Sequence, residues 1–127
     1  MLLIFATRYD VVTIQTFSVA EHLRSQLEML QVESEALLEN DATSDHFNLT
    51  VARPFEVFAF YSHGDEAGRI LAQDRLPVWT DDTCPDLRGG AVFAHACRAM
   101  LALERQFKRL NVRVAVGYSI DLKLPPN

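Results

Sequence analysis

The chain alternates short apolar segments with longer amphipathic or polar stretches, and this alternation limits its fold more than any other feature. Each segment is as long as a buried strand and too short for an ordinary helix. The predicted strands are Leu2–Thr7, Phe55–Tyr61, Ala91–Ala96 and Val112–Val116. Strands that alternate with helical patterns favour an α/β fold, in which helices cover the faces of a mostly parallel sheet.

A helical pattern follows the first strand. Ser18 and Glu21 have the spacing of a capping box, which predicts a helix that begins at Ser18. The apolar residues expected to face the sheet are Val19, Leu23, Leu27 and Leu30. Leu37 and Leu38 extend the same pattern. The polar stretch Glu39–Asp45 is predicted to be a loop.

The second half of the chain predicts a hairpin, a loop and another helix. Arg69–Ala72 and Leu76–Trp79 form the expected hairpin, and Asp81–Gly90 contains proline and glycine, which are typical of a loop. The apolar residues of the second amphipathic helix are Met100, Leu103, Phe107 and Leu110. Two prolines within Leu124–Asn127 disfavour a strand or helix there.

Composition narrows the classes of function. The 127 residues suffice for a single domain with one core. A net charge of −5 disfavours binding to nucleic acid or to an anionic membrane surface. No apolar run reaches the length of a membrane helix, and no basic residue precedes the apolar start, so we expect neither an anchor nor a signal peptide. Two cysteines do not make a disulfide framework, which predicts a cytoplasmic protein with reduced thiols.

Two reactive side chains follow predicted strands. His63 comes soon after Phe55–Tyr61, and Cys97 comes directly after Ala91–Ala96. Sites in parallel sheets form at the carboxyl ends of the strands, so we expect these residues to meet. An imidazole can take the proton of a thiol, and the resulting thiolate can attack a carbonyl. The backbone N–H groups of Gly64 and Cys97 would then stabilise the oxyanion.

Both residues stand in short motifs. His63 lies in Tyr-Ser-His-Gly-Asp-Glu at positions 61–66, and Cys97 lies in His-Ala-Cys-Arg-Ala at positions 95–99. The first resembles the Ser-His-Gly motif of caspases, and the second resembles their Gln-Ala-Cys-Arg-Gly motif. The bacterial caspase-like CHAT proteases share this pattern and vary around it in a similar way. The resemblance extends roughly from Phe55 to Tyr118.

The resemblance implies a caspase-like three-layer α/β/α sandwich with a mostly parallel sheet. It also implies a cysteine endopeptidase in which Cys97 is the nucleophile and His63 is the general base and acid. Gly64 and Cys97 would form the oxyanion hole, and peptide hydrolysis would proceed through a thioester without a cofactor. The sequence offers no clear third residue, and in this family a backbone carbonyl can orient the histidine.

Two residues are candidates for substrate binding. In the family, the residue two positions before the cysteine lines the pocket for the side chain that precedes the scissile bond. That residue is glutamine in caspases and aspartate in enzymes selective for basic residues, whereas here it is His95. Arg8 stands, by order along the chain, where caspases carry a pocket arginine. The alternatives are a core histidine at position 95 and a solvated strand-end charge at position 8.

The family usually continues past the fifth strand into a sixth, so the edge beyond Val112–Val116 is predicted to be bare. Exposed edges tend to pair. Three alternatives follow: an activator, partner chain or second copy completes the sheet, the chain is the core of a larger parent, or it is a non-catalytic relative. The resemblance implies a protein substrate, and a role in regulated proteolysis or bacterial defence.

Other classes of function remain open. A catalytically silent caspase-like domain would bind partners through its exposed edge, with Cys97 merely buried and His63 a turn residue. A flavodoxin-like module would bind a small molecule. A metal site is not expected, because the spacing of the potential zinc ligands matches no short zinc motif. These potential ligands are His63, Cys84, His95 and Cys97.

Overall fold

Five parallel strands form one sheet in the computed structural model, which describes residues 1–119. In chain order the strands are β1 (Leu2–Ala6), β2 (Ser34–Leu38), β3 (Val57–Tyr61), β4 (Ala91–His95) and β5 (Val114–Val116). The helices are α1 (Val11–Met29), α2 (Ser44–Thr50) and α3 (Ala99–Leu110). The spatial order of the strands is β2-β1-β3-β4-β5. The predicted segment Leu124–Asn127 lies outside the described residues.

The sheet separates two apolar layers because successive side chains of a strand point to opposite faces. On one face, Phe5 and Phe60 pack against Phe47 of α2, and Leu103 of α3 belongs to the same core. On the other face, α1 covers β1, β2 and β3 through residues such as Phe17. The predicted α/β class and the three-layer arrangement with a parallel sheet are confirmed.

The prediction for the start of the first helix was wrong. The helix begins at Val11, and the residue before it, Asp10, caps it. Oδ1 of Asp10 accepts a hydrogen bond from the backbone N–H of Thr13 at 2.8 Å, and Oγ1 of Thr13 accepts one from the N–H of Asp10 at 3.0 Å. Ser18 is exposed within the helix, and Val19 does not face the sheet, since it is 55% exposed.

The segment after the helix is also different from the prediction. Leu37 and Leu38 do not extend the helix but belong to β2, which pairs with β1 from Leu2↔Ser34 to Ala6↔Leu38. Part of the predicted loop is helical, because a 3₁₀ turn covers Glu39–Asp41 and α2 begins at Ser44. β2 was missed because it is an edge strand whose residues are only half-buried, so its sequence lacks the continuous apolar character of a central strand.

The remaining elements lie within two residues of their predicted bounds. The hairpin is present, since an antiparallel bridge joins Leu71 to Pro77, and a second antiparallel bridge joins Ile70 to Gly64. Its turn is closed by a hydrogen bond from the N–H of Ala72 to the carbonyl of Leu76 at 2.7 Å. The hairpin therefore occupies the connection between β3 and β4, directly after the first motif.

One half of the sheet is open on the α1 side. Phe93 of β4 is 37% exposed and Val116 of β5 is 54% exposed. The register pairs these two residues, which places them on the same face as His95. Among the described residues, β5 pairs only with β4 and forms one edge of the sheet.

Candidate active site

Three loops meet at the carboxyl end of the sheet, because all five strands run in the same direction. The loop after β1 carries Asp10, the loop after β3 carries His63, and the loop after β4 carries Cys97. The predicted site residues His63, Gly64 and Cys97 are therefore brought to one edge. Each loop begins where a buried strand ends, so the sheet itself fixes their relative positions.

The loops after β3 and β4 are in direct backbone contact. A Cβ added to Gly64 would lie 1.9 Å from the carbonyl oxygen of Cys97. A second glycine makes a similar contact, since a Cβ on Gly68 would lie 2.1 Å from the carbonyl oxygen of Arg98. Gly68 also has φ +80°, which favours glycine. Any larger residue at either position would push the histidine loop away from the cysteine loop.

The imidazole of His63 has a carboxylate partner that the sequence analysis missed. Nε2 of His63 lies 2.7 Å from Oδ2 of Asp10, and the ring of Tyr9 stands 5.7 Å from the imidazole. His63 is 27% exposed and Asp10 is 39% exposed, so the pair is partly shielded from water. A signal for Asp10 was present: an acidic residue three positions before Thr13, directly after the first strand, has the spacing of a helix N-cap.

The charge state of Asp10 fixes the proton on its partner. Burial raises the pKa of Asp10, but the hydrogen bonds from the Thr13 backbone and from His63 outweigh it and hold the pKa below its usual value. The carboxyl group is therefore ionised at neutral pH and can only accept hydrogen bonds. Nε2 of His63 must donate, which leaves Nδ1 of the neutral imidazole as the proton acceptor.

The loop around Gly64 is closed by the side chain of Asp65 and offers a backbone donor. Oδ1 of Asp65 accepts hydrogen bonds from the N–H groups of Ala67 and Arg69, each at 2.9 Å, and Oδ2 pairs with Nε of Arg69 at 2.7 Å. Within residues 1–119, the N–H of Gly64 has no acceptor. The cavity beside it, of about 270 Å³, is lined by Gly64, Asp65, Glu66 and Arg98.

His95 lies in an aromatic group. Its ring stacks on Tyr61 with centroids 6.0 Å apart and meets the edge of Tyr118 at 5.8 Å. Tyr61 in turn contacts Phe93 at 6.1 Å. Burial lowers the pKa of His95, so its ring is neutral at physiological pH. This aromatic group faces the open half of the sheet, and His95 precedes Cys97 by two residues.

Arg8 points to the other side of β1. Its guanidinium lies 3.3 Å from Oε1 of Glu39, which follows β2, and 5.5 Å from the ring centroid of Phe17. Its backbone N–H and C=O are both bound by the side chain of Gln73, at 2.8 and 2.9 Å. The loop that carries Cys97 follows β4, on the opposite side of β1.

The remaining thiol and the acidic side chains of residues 1–119 form no metal-binding cluster. Cys84 lies in the loop before β4, where its Sγ is 3.5 Å from the carbonyl oxygen of Thr80 and burial raises its pKa. In the part of the chain that the structure describes, no three His, Cys, Asp or Glu side chains converge as metal ligands. No helix in residues 1–119 is both long enough and apolar enough to span a membrane.

Comparison of the chain with protein-family models, curated proteins and solved structures finds no match.

Proposed function

We propose that the chain is a cysteine endopeptidase of caspase-like type, with Cys97 as the nucleophile and His63 as the general base and acid. One observation carries the proposal: the backbone contact between Gly64 and Cys97 holds together the loops that bear the imidazole and the thiol. The order and spacing of the two motifs agree with this pairing. No cofactor is required, because the thiol and imidazole supply the nucleophile and the proton transfers.

The reaction begins with proton transfer from the Cys97 thiol to Nδ1 of His63. The thiolate attacks the peptide carbonyl, and the N–H groups of Gly64 and Cys97 bind the oxyanion that forms. The C–N bond then breaks, the imidazolium gives its proton to the leaving amine, and a thioester remains. Water, deprotonated by His63, attacks the thioester, which releases the carboxylic acid and restores the thiol.

We place the pocket for the side chain before the scissile bond at His95. A neutral imidazole stacked on Tyr61 beside Phe93 offers flat apolar surface and no fixed charge. Such a surface suits an apolar or aromatic side chain. A role for Arg8 in substrate binding stays a prediction, and it would require the guanidinium to leave Glu39 for an acidic side chain of the substrate.

We further propose that the enzyme works in the cytoplasm and that a partner chain regulates it at the edge of β5. The cytoplasm keeps the nucleophilic thiol reduced. β5 has three residues, and Val114 and Val116 are both about half exposed. An exposed apolar edge strand is a template for pairing with another chain. An activator or a second copy bound there would adjoin β4, the strand that leads to Cys97.

The test is the pH dependence of alkylation by iodoacetamide, measured separately at each cysteine by mass spectrometry. In the wild-type chain, Cys97 should react well below the usual thiol pKa of ~8.5, whereas Cys84 should react only at higher pH. His63→Ala should remove the difference, and Cys84→Ala should leave Cys97 unchanged. Equal profiles at the two cysteines would exclude an activated thiol. Digestion of a proteome-derived peptide library, with Cys97→Ala as the blank, then gives the cleavage specificity.

The open half of the sheet favours a second candidate function. A catalytically silent domain that binds partners through Phe93 and the β5 edge would need the same exposed face but no activated thiol. Cys97 would then react no faster than Cys84, while the chain would still associate with a partner. The alkylation profile therefore separates the two functions before any substrate is known.

A further inference from the structure

We infer that Asp10 is a positioning residue for His63 and that its two carboxylate oxygens have different tasks. This inference depends on the proposed function, because it assigns a role to Asp10 in the same reaction. Oδ1 accepts the Thr13 N–H at 2.8 Å and so caps α1. Oδ2 accepts from Nε2 of His63 at 2.7 Å. The first bond holds the carboxylate on a helix end, and the second holds the imidazole on the carboxylate.

The cap makes the position of Oδ2 precise. Oγ1 of Thr13 receives the N–H groups of Tyr9 and Asp10 at 2.8 and 3.0 Å and also contacts Oδ1 of Asp10 at 2.8 Å. The backbone N–H of Thr13 fixes the carboxylate through Oδ1, the hydroxyl of Thr13 adds a second bond to the same oxygen, and Oδ2 stays available to the imidazole. A helix of nineteen residues that is packed on the sheet provides a firm support for a catalytic base.

The bond to Oδ2 sets the tautomer of His63. With the proton held on Nε2, the lone pair is on Nδ1, the nitrogen that must accept the thiol proton. After that transfer the imidazolium carries a positive charge next to the carboxylate, which stabilises it. Without an acceptor at Oδ2, the neutral ring would be free to carry its proton on either nitrogen. The ring would then act as a base only for a fraction of the time.

Other groups around His63 do not replace Asp10. The Tyr9 ring lies 5.7 Å from the imidazole, and the guanidinium of Arg75 lies 4.8 Å from the centroid of the same Tyr9 ring. The loop after β4 adds Cys97 and Arg98 across the Gly64 contact. Among the described residues, Asp10 is the carboxylate that bonds to the imidazole.

Asp10→Asn separates the two tasks. Asparagine caps a helix about as well as aspartate through its carbonyl oxygen. Its NH₂ group would occupy the place of Oδ2, where it can donate but not accept. It would therefore favour a His63 tautomer with Nε2 as acceptor and the proton on Nδ1, which cannot take the thiol proton. Thr13→Val is the matched control, because it removes the capping hydroxyl but keeps the backbone N–H that donates to Oδ1 of Asp10, so that Oδ2 stays beside His63.

The experiment measures the alkylation rate of Cys97 by iodoacetamide from pH 5 to 9 in the whole chain, with Cys84 as the internal reference. For Asp10→Asn we expect the alkylation rate of Cys97 below neutral pH to fall about tenfold, because Nδ1 of His63 would then carry a proton and could not accept that of the thiol. Thr13→Val should lower the melting temperature and leave the profile unchanged. Asp10→Ser keeps a capping oxygen and lacks the second acceptor, so its alkylation rate should fall as well. It is the test to use if Asp10→Asn folds poorly.

Two failures are distinguishable. If His63→Ala has the same profile as the wild type, there is no dyad, and both the proposed function and the positioning role are overturned. If His63→Ala slows Cys97 while Asp10→Asn and Asp10→Ser follow the wild-type profile, the dyad stands and the role of Asp10 is overturned. A profile changed equally by Thr13→Val would mean that Asp10 acts only through the helix cap, which also contradicts the inference.

Discussion

The α-carbon of Gly64 stands against the carbonyl oxygen of Cys97, and only 1.9 Å separates that oxygen from the place where a Cβ would be. The contact joins the loop after β3 to the loop after β4 by backbone alone. It does not depend on an unusual dihedral angle, since Gly64 is not among the residues with positive φ. The requirement for glycine here is therefore one of space, and it comes from the approach of the two candidate catalytic loops.

Gly64→Ala is expected to disrupt the site and destabilise the fold. The added methyl group meets a backbone atom, which cannot rotate away, so one of the loops must shift. Overpacking of this kind costs about 3 kcal/mol. Gly89→Ala is the control, because Gly89 has φ +77° but no atom within 4 Å of its would-be Cβ. The free energy of unfolding of this variant should fall by only about 1 kcal/mol, the cost of alanine in the left-handed backbone region.

Urea unfolding measures the stability of both variants, and alkylation of Cys97 reports on the site. Gly64→Ala should lose the faster reaction of Cys97 at low pH, whereas Gly89→Ala should keep it. If Gly64→Ala were as stable as the wild type, the two loops would not be in the close contact that the proposed function requires.

Ser62, the residue before His63, forms a buried hydrogen bond with the hydroxyl of Thr7. Oγ of Ser62 donates to the carbonyl of Leu71 at 2.6 Å, so the Thr7 hydroxyl is the donor in the 2.8 Å bond between the two side chains. Both residues are at most 5% exposed. Ser62→Ala leaves the Thr7 hydroxyl and the Leu71 carbonyl without these partners, and an unsatisfied buried group costs about 1–3 kcal/mol.

Thr7→Val should lower the free energy of unfolding less than Ser62→Ala does, because it leaves the hydrogen bond from Ser62 to the Leu71 carbonyl in place. The double variant should lose less free energy of unfolding than the two single variants together. It removes both hydroxyls, so neither is left buried without its partner. Chemical denaturation of the four proteins gives the coupling free energy. Additive losses would show that the two hydroxyls do not interact.

Much of the fold could be predicted because its central strands are almost entirely apolar, and two of them, β1 and β3, are buried on both faces. β1, β3 and β4 carry nearly continuous apolar residues, and such strands are recognisable without their neighbours. β2 was missed because it lies at the sheet edge, where half-buried residues do not produce a distinct pattern. Its pairing with β1 depends on long-range contacts that a local pattern does not contain.

The site was predictable where it depends on topology and not where it depends on side-chain partners. His63 and Cys97 follow neighbouring parallel strands, so their meeting at one edge follows from the strand pattern. Asp10 was missed because the helix was expected to begin at Ser18, seven residues after its actual start at Val11. With the start at Val11, the N-cap falls on Asp10 and its carboxylate lies beside His63. One error in a helix boundary therefore concealed the partner of the imidazole.

His95 makes the stability of the fold dependent on pH. Burial lowers its pKa, so the folded protein prefers the neutral ring, whereas the unfolded chain binds a proton at the usual pKa of ~6.5. Between these two pKa values the unfolded state holds more protons, so stability rises with pH across this window. The contribution is complete above pH ~6.5 and is lost as the pH falls through the folded pKa.

His95→Gln removes this titration, so its melting temperature should change less between pH 7.5 and pH 5 than that of the wild type. His22→Gln is the control, because His22 is exposed on α1. The slope of this variant should equal that of the wild type, and the contribution of Asp10 cancels because both variants retain it. Calorimetry at matched ionic strength gives the slopes. An unchanged slope in His95→Gln would mean that the ring stacked on Tyr61 is protonated as easily in the folded state as in the unfolded chain.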